Sequence, residues 1–219
     1  MKIGIIGAGN IGGNLTRRLT QLGHEVRVAN SRGPESLAEL AAETGATAVL
    51  ANEAALGADL VVVTIPEKNV PDLDNGFLNG ANDGVVVIDT GNYYAQRRDG
   101  FIADIEAGMT ESRWVSNQIG HPVVKAFNGI YSANIIDRAR PAGTSDRMAL
   151  PVAGDDLPAK KIVMDLIEEL GFTAIDAGGI DESWRQQPGT PVYGLVGDGD
   201  AVRLALAAAN NVRTPEWRA

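Results

Sequence analysis

Residues 2–23, KIGIIGAGNIGGNLTRRLTQLG, admit few folds. The apolar run KIGIIG (2–7) leads directly into Gly7, Gly9 and Gly12, spaced G-x-G-x-x-G. Apolar residues then recur at 11, 15, 19 and 22 until Gly23. The first run reads as a buried strand and the second as a helix over 10–23. In a chain with 26 glycines the spacing alone is a weak signal. Set between a strand and a helix it is a strong one, and it marks a dinucleotide site. Gly7 permits the tight turn, Gly9 lets the backbone approach a pyrophosphate, and Gly12 lets the helix pack close to the strand. The helix start adds free N–H donors and a partial positive charge, so Asn10 and Ile11 are expected to touch the same ligand. The bland alternative is a glycine-rich turn that binds nothing.

The rest of the chain repeats this alternation. Strands are expected at EVRVAN (25–30), ATAVL (46–50), DLVVVTIP (59–66), GVVVIDT (84–90), PVVKAFN (122–128), MALPVAG (148–154) and FTAIDAG (172–178). Helices are expected at PESLAELAAETG (34–45), with proline at its start and glycine at its end, at 158–171 and at 200–211. The nearly unbroken apolar character of 59–66 and 84–90 suits strands covered on both faces, as in a parallel sheet. The expected class is therefore α/β: a doubly wound, mostly parallel, Rossmann-like sheet with a short C-terminal helical extension. A single domain over 1–219 is expected, divided into a nucleotide-binding core (1–180) and an extension (181–219).

Composition narrows the function classes. A net charge of −9 argues against general nucleic-acid or anionic-membrane binding. Without cysteine there is no disulfide, thiolate nucleophile or cysteine metal site, which suits a reducing cytoplasm. No apolar run reaches the ~18 residues of a membrane span. Glycine and asparagine interrupt the opening stretch, and Arg17 and Arg18 follow it, so it reads as mature structure rather than a signal peptide. His24 and His121 are isolated and read as local structure, with no metal site expected.

The second strand raises the question of which dinucleotide binds. An acidic residue selecting NAD is expected ~20 residues past the fingerprint. Asn30, Ser31 and Arg32 stand there instead. A serine hydroxyl and a guanidinium can donate to a 2′-phosphate that a carboxylate would repel, so the expectation is NADP(H). The competing reading of Arg32 is a solvated loop residue before Gly33-Pro34. Glu35 is nearby, but in a first helical turn, where a carboxylate favours the helix dipole.

Ligands of open α/β sheets lie outside the carboxyl ends of the strands. Thr64, Ile65 and Pro66 are therefore expected along the cofactor wall, and Asn92 and Asn128 near a carboxamide or a second substrate. For both asparagines turn chemistry is an equal alternative. Lys125 shares a strand face with Val123 and Phe127 and suits a buried ion pair as well as catalysis. No spacing suggests a Ser–His–Asp set or a paired-carboxylate hydrolase, and no residue is assigned a catalytic role. Hydride transfer needs none, because the cofactor carries the chemistry.

Taken together, IGIIGAGNIGGNL, the NSR after the second strand, VVVTIP, VVKAFN with SAN following, and GFTAIDAGGI run in order from residue 1 to about 197. This set resembles the NADP-dependent coenzyme F420 oxidoreductase family and its relative, the NADPH-binding domain of six-transmembrane ferric reductases. The resemblance implies a nicotinamide placed against a deazaflavin or flavin ring, with F420, FMN or FAD as the small-molecule hydride acceptor. It carries Gly7, Gly9, Asn10, Ile11 and Gly12 to the pyrophosphate, and Ser31 and Arg32 to the 2′-phosphate. Thr64, Ile65 and Pro66 go to the cofactor wall, and Asn128 to the nicotinamide side. The QPGTPVYG stretch (187–194) and short tail depart from the family's helical ending, and read either as a rigid lid or as an inert surface turn. No membrane domain, and so no haem relay, is expected. Two other functions remain open: an imine or carbonyl reductase like pyrroline-5-carboxylate reductase, and an NADPH-binding redox sensor without turnover. A homodimer through 200–211 is also left open.

Overall fold

The computed structural model describes residues 1–74 and 76–219. Its first half contains strands β1 (Lys2–Ile6), β2 (Glu25–Ala29), β3 (Thr47–Ala48), β4 (Leu60–Val63) and β5 (Val86–Asp89), with helices α1 (Asn10–Gln21) and α2 (Ala38–Thr44). Helices α3 (Ala103–Glu106) and α4 (Glu111–Ile119), strand β6 (Val124–Lys125) and helix α5 (Ser132–Asp137) follow. The chain continues through β7 (Ala149–Val152), α6 (Leu157–Glu169), β8 (Thr173–Asp176) and α7 (Gly199–Ala208).

Strands β1 to β6 form one parallel sheet in the order β3-β2-β1-β4-β5-β6. The chain winds outward from β1 through β2 and β3, then crosses back to place β4 on the other side of β1. That reversal opens a crevice at the carboxyl ends of β1 and β4, the dinucleotide position of a Rossmann fold. Period-two alternation sends Ile3, Ile5, Val28, Val62 and Ile88 to a core shared with Leu15 and Leu19 of α1 and Val163 and Ile167 of α6. Ile6, Val61, Val63 and Val87 face the opposite way, onto Ala54, Ala55 and the Trp114 and Val115 of α4. Each fully buried aliphatic side chain contributes about 1.5–3 kcal/mol, so both faces hold the sheet.

Four features differ from the sequence reading. The helix expected over 34–45 begins as a 3₁₀ turn, Pro34–Leu37, and becomes α-helical only at Ala38. Ser36 Oγ donates to the Gly33 carbonyl at 2.8 Å, a side-chain bond that competes with helical pairing. The strands β7 and β8 form a separate parallel pair rather than extending the main sheet. They join it through an antiparallel bridge, in which Lys125 and Ala153 exchange N–H···O bonds of 2.8 and 3.1 Å. The strand β6 ends after two residues because Phe127 adopts φ +62°, the one non-glycine residue with positive φ among those described. Helix α4 was not expected, although its ends carry clear signals. Thr110 Oγ1 accepts from the Arg113 N–H at the start, and Gly120 closes the other end at φ 65°. Among the described residues no helix is long and apolar enough to cross a membrane.

Candidate active site

The glycine loop is shaped by contacts that a side chain would destroy. A Cβ on Gly7 would lie 2.2 Å from the Thr64 carbonyl oxygen, and Gly7 has φ 109°. A Cβ on Gly12 would lie 1.9 Å from the Gly7 carbonyl oxygen and 2.8 Å from Thr64 Cγ2. These two glycines bring α1 against the β1–β4 seam, which places Thr64, Ile65 and Pro66 beside the loop. Gly9 differs: it has an ordinary φ of −73°, and a Cβ there would meet nothing within 4 Å. Its bare backbone faces open space, the cradle a pyrophosphate would fill. The N–H groups of Asn10, Ile11 and Gly12 bond to no acceptor among the described residues, and the first turn of α1 carries no acidic residue. An anionic diphosphate fits this end of the helix.

Beyond β2, Asn30 builds the turn that presents its two successors. Its Oδ1 accepts from the Arg32 N–H at 2.9 Å, while its Nδ2 donates to Ser36 Oγ at 2.9 Å. Ser31 and Arg32 are left exposed. The Arg32 guanidinium has no hydrogen-bond or ion-pair partner among the described residues. Arg17, by contrast, is engaged by Glu43 through bonds of 2.7 and 2.8 Å. Arg32 is thus the available cation beside the expected ribose position.

On the far rim, Asn92 and Asn128 grip each other. Asn128 Nδ2 donates to Asn92 Oδ1 at 3.0 Å and to the Gln186 carbonyl at 2.6 Å. Asn92 Nδ2 donates to the Asn128 carbonyl at 2.8 Å. Asn128 is 5% exposed, so it braces the rim from beneath, whereas Asn92 reaches its surface.

Below this pair lies a charge cluster that sequence reasoning did not assemble. Lys125 Nζ is fully buried, donates to the Gly91 carbonyl at 2.8 Å, and lies 3.6 Å from both Asp89 and Glu111 carboxylates. Burial alone would lower the Lys125 pKa, but the Asp89 and Glu111 charges more than offset it and hold the ammonium above its ordinary value. Asp89 accepts from Ser112 Oγ at 2.6 Å and from the Gly91 N–H at 2.8 Å. Glu111 accepts from Arg213 at 2.8 Å. Glu67 is wholly buried and neither carboxyl oxygen has a partner among the described residues. Burial, reinforced by the Asp89 charge and only partly relieved by Lys125, pushes its pKa well above the usual carboxylate range. The neutral acid is the favoured form, which leaves two carboxylates facing Lys125 and Arg213. Gly91 is clamped from three sides, and a Cβ there would come within 2.4 Å of Glu67 Oε1. The cluster therefore fixes the loop carrying Asn92. The nearest sequence signal was Lys125 itself.

The C-terminal segment straps this region. Arg213 bonds Glu111 and, at 3.1 Å, Gln187, while Trp217 lies 6.0 Å from the Tyr94 ring and 6.4 Å from that of Tyr193. Beneath the strap Gln187 and Pro188 are buried, so the 187–194 stretch is packed into the body at its start rather than hanging free. Immediately after Tyr94 the chain makes a π-turn, Ala95–Asp99, in which the N–H groups of Asp99 and Gly100 donate five residues back, each at 3.0 Å. Such turns recur at functional sites.

Residues 2–93 match the model of the family described as NADP oxidoreductase, coenzyme F420-dependent. The match takes in 92 of the 219 residues, and over that stretch the chain is similar to the family. Among solved structures, hypothetical protein SMa0349 from Sinorhizobium meliloti is 31% identical, with a TM-score of 0.73 over 89% of this chain and 93% of that one. A protein from Arthrobacter sp. FB24, provisionally described as an F420-dependent NADP-reductase, superposes with a TM-score of 0.66 over 82% of this chain and 86% of that one. At 24% identity it shows the shared fold. The Escherichia coli (strain K12) protein YjhV is 45% identical over 60 residues, which are 27% of this chain and 44% of that relative. The chain thus spans less than half the length of that curated relative.

Proposed function

We propose that this protein exchanges hydride between NADPH and a flavin-like acceptor, of the class of F420, FMN or FAD. Bound NADPH would supply the hydride. Gly7, Gly9, Asn10, Ile11 and Gly12 would hold its pyrophosphate, Ser31 and Arg32 its 2′-phosphate, and Thr64, Ile65 and Pro66 its ribose side. The observation that carries the acceptor class is the chemistry of the far rim. Asn92, Tyr94 and Tyr193 present amide and hydroxyl groups, while Glu67, Asp89, Glu111 and Lys125 are sealed beneath them at 2% exposure or less. A rim that orients two rings without a titrating side chain of its own suits direct hydride transfer. NADPH oxidation followed by stopped flow with F420, FMN, FAD and pyrroline-5-carboxylate in parallel tests the proposal. Turnover with a flavin-like acceptor is expected. Turnover with the imine alone, or tight NADPH binding with no acceptor oxidising it, would refute it.

A further inference from the structure

The hydroxyl groups of Tyr94 and Tyr193 touch, although 99 residues separate them in sequence. Tyr94 stands two residues past Asn92, in the loop that follows β5. Tyr193 is held to the rim by its successor, whose N–H donates to the Gly129 carbonyl at 3.0 Å, next to Asn128. The two tyrosines therefore flank the asparagine pair from opposite segments. A phenol carries one hydrogen and can also accept. Two phenols in contact use one hydrogen between them, and the second must point outward. No other acceptor for either hydroxyl exists among the described residues. Burial, followed by the hydrogen bond from its partner, raises the Tyr193 pKa, so the spare hydrogen persists through neutral and mildly alkaline pH.

The surroundings suit a flat partner. Tyr131 is 64% exposed, and its hydroxyl oxygen lies 3.0 Å from where a Cβ on Gly194 would stand. Trp217 tilts at 47° to Tyr94, and the Arg98 guanidinium sits 4.9 Å from the Tyr94 ring centre. Aromatic faces and a single neutral donor make a surface for a planar ring bearing carbonyl or imine acceptors.

We infer that the Tyr94–Tyr193 pair is the second-substrate contact, donating its spare hydroxyl hydrogen to an oxygen or ring nitrogen of a planar heteroaromatic acceptor. The inference rests on the proposed hydride exchange for its placement, but it is tested by binding. A donor held at that atom favours the reduced ring, on which negative charge develops. If the pair were only a clip joining 187–194 to the β5 loop, its loss would lower thermal stability and leave acceptor affinity alone.

The test uses the full chain saturated with NADP⁺ and titrated with FMN, and separately with F420, by quenching of ligand fluorescence. The double variant Tyr94→Phe/Tyr193→Phe removes both hydroxyls and keeps both rings. It should weaken binding of at least one ligand roughly 3- to 10-fold, the scale of one neutral hydrogen bond, with NADPH affinity within about twofold of wild type. Each single variant, which leaves one hydroxyl able to donate, should lose less. The inference is overturned if the double variant binds both ligands as wild type does, if NADPH affinity falls by the same factor, or if wild-type protein binds neither ligand. Ligand binding that weakens as stated, without NADPH oxidation, would sink the proposed turnover and leave this contact standing.

Discussion

Replacing Lys125 with methionine would keep most of the side chain's volume and remove the ammonium that neutralises the buried cluster. In the wild-type arrangement Lys125 and Arg213 balance Asp89 and Glu111, with Glu67 favoured as the neutral acid. The variant leaves one buried negative charge in excess and an unpaired Gly91 carbonyl. Removing one partner of a buried pair costs about 3–5 kcal/mol, a large part of the ~5–15 kcal/mol that holds a domain folded. At about 2–4 °C per kcal/mol for a chain of this size, the melting temperature should fall by roughly 6–20 °C. The deficit should also depend on pH in a definite direction. The wild-type Lys125 pKa is raised, so its contribution is complete below the unfolded lysine value near 10 and is lost only as pH rises past the folded value. The deficit should therefore hold across neutral pH and narrow as pH rises past the folded lysine value. Urea unfolding followed by circular dichroism at pH 7, 9 and 11 measures both effects. A loss under about 1 kcal/mol at pH 7, or a deficit that widens toward pH 11, would refute the electrostatic account.

Glu67→Gln tests the same cluster with the opposite sign. The folded pKa of Glu67 is raised, so the wild-type protein loses stability as pH climbs above the unfolded glutamate value near 4.5. The variant escapes that loss, and urea unfolding should find its stability relative to wild type greater at pH 8 than at pH 4.5. A pH-independent difference would contradict the assignment. In the glycine loop, Gly12→Ala should destabilise the fold itself, because its Cβ would meet backbone at 1.9 Å. Gly9→Ala meets nothing within 4 Å and should melt like wild type, yet weaken NADPH about tenfold by intruding where the pyrophosphate would lie. Calorimetric titration showing wild-type affinity in Gly9→Ala would remove Gly9 from the site.

The parts visible in the sequence are those governed by local pattern. The β1–turn–α1 unit, the apolar strands β4 and β5 and the capped helix α6 announce themselves through period, glycine and proline. Helix α4 was equally marked, by Thr110 and Gly120, but its polar run ESRWVSNQ hid the buried stripe of Trp114 and Val115. The charge cluster was less accessible. Nothing local separates Glu67 or Glu111 from the surface carboxylates, because their burial depends on where β4, α4 and the tail meet. The same holds for Tyr94 and Tyr193, which come together only because the 187–194 stretch folds back across the rim. The early end of β6 depends on the backbone of Phe127, a residue whose type gives no hint of positive φ.

Arg32 is the residue on which the choice of NADP(H) turns. Calorimetric titration of wild type and Arg32→Ala with NADPH and with NADH gives four dissociation constants. Wild type should prefer NADPH. The substitution should weaken NADPH roughly 10- to 150-fold, the range for charge-assisted hydrogen bonds of about 1.5–3 kcal/mol, while NADH changes less than about threefold. Equal losses for the two, or a wild-type protein that binds NADH as tightly as NADPH, would contradict the selection of the 2′-phosphate at this turn.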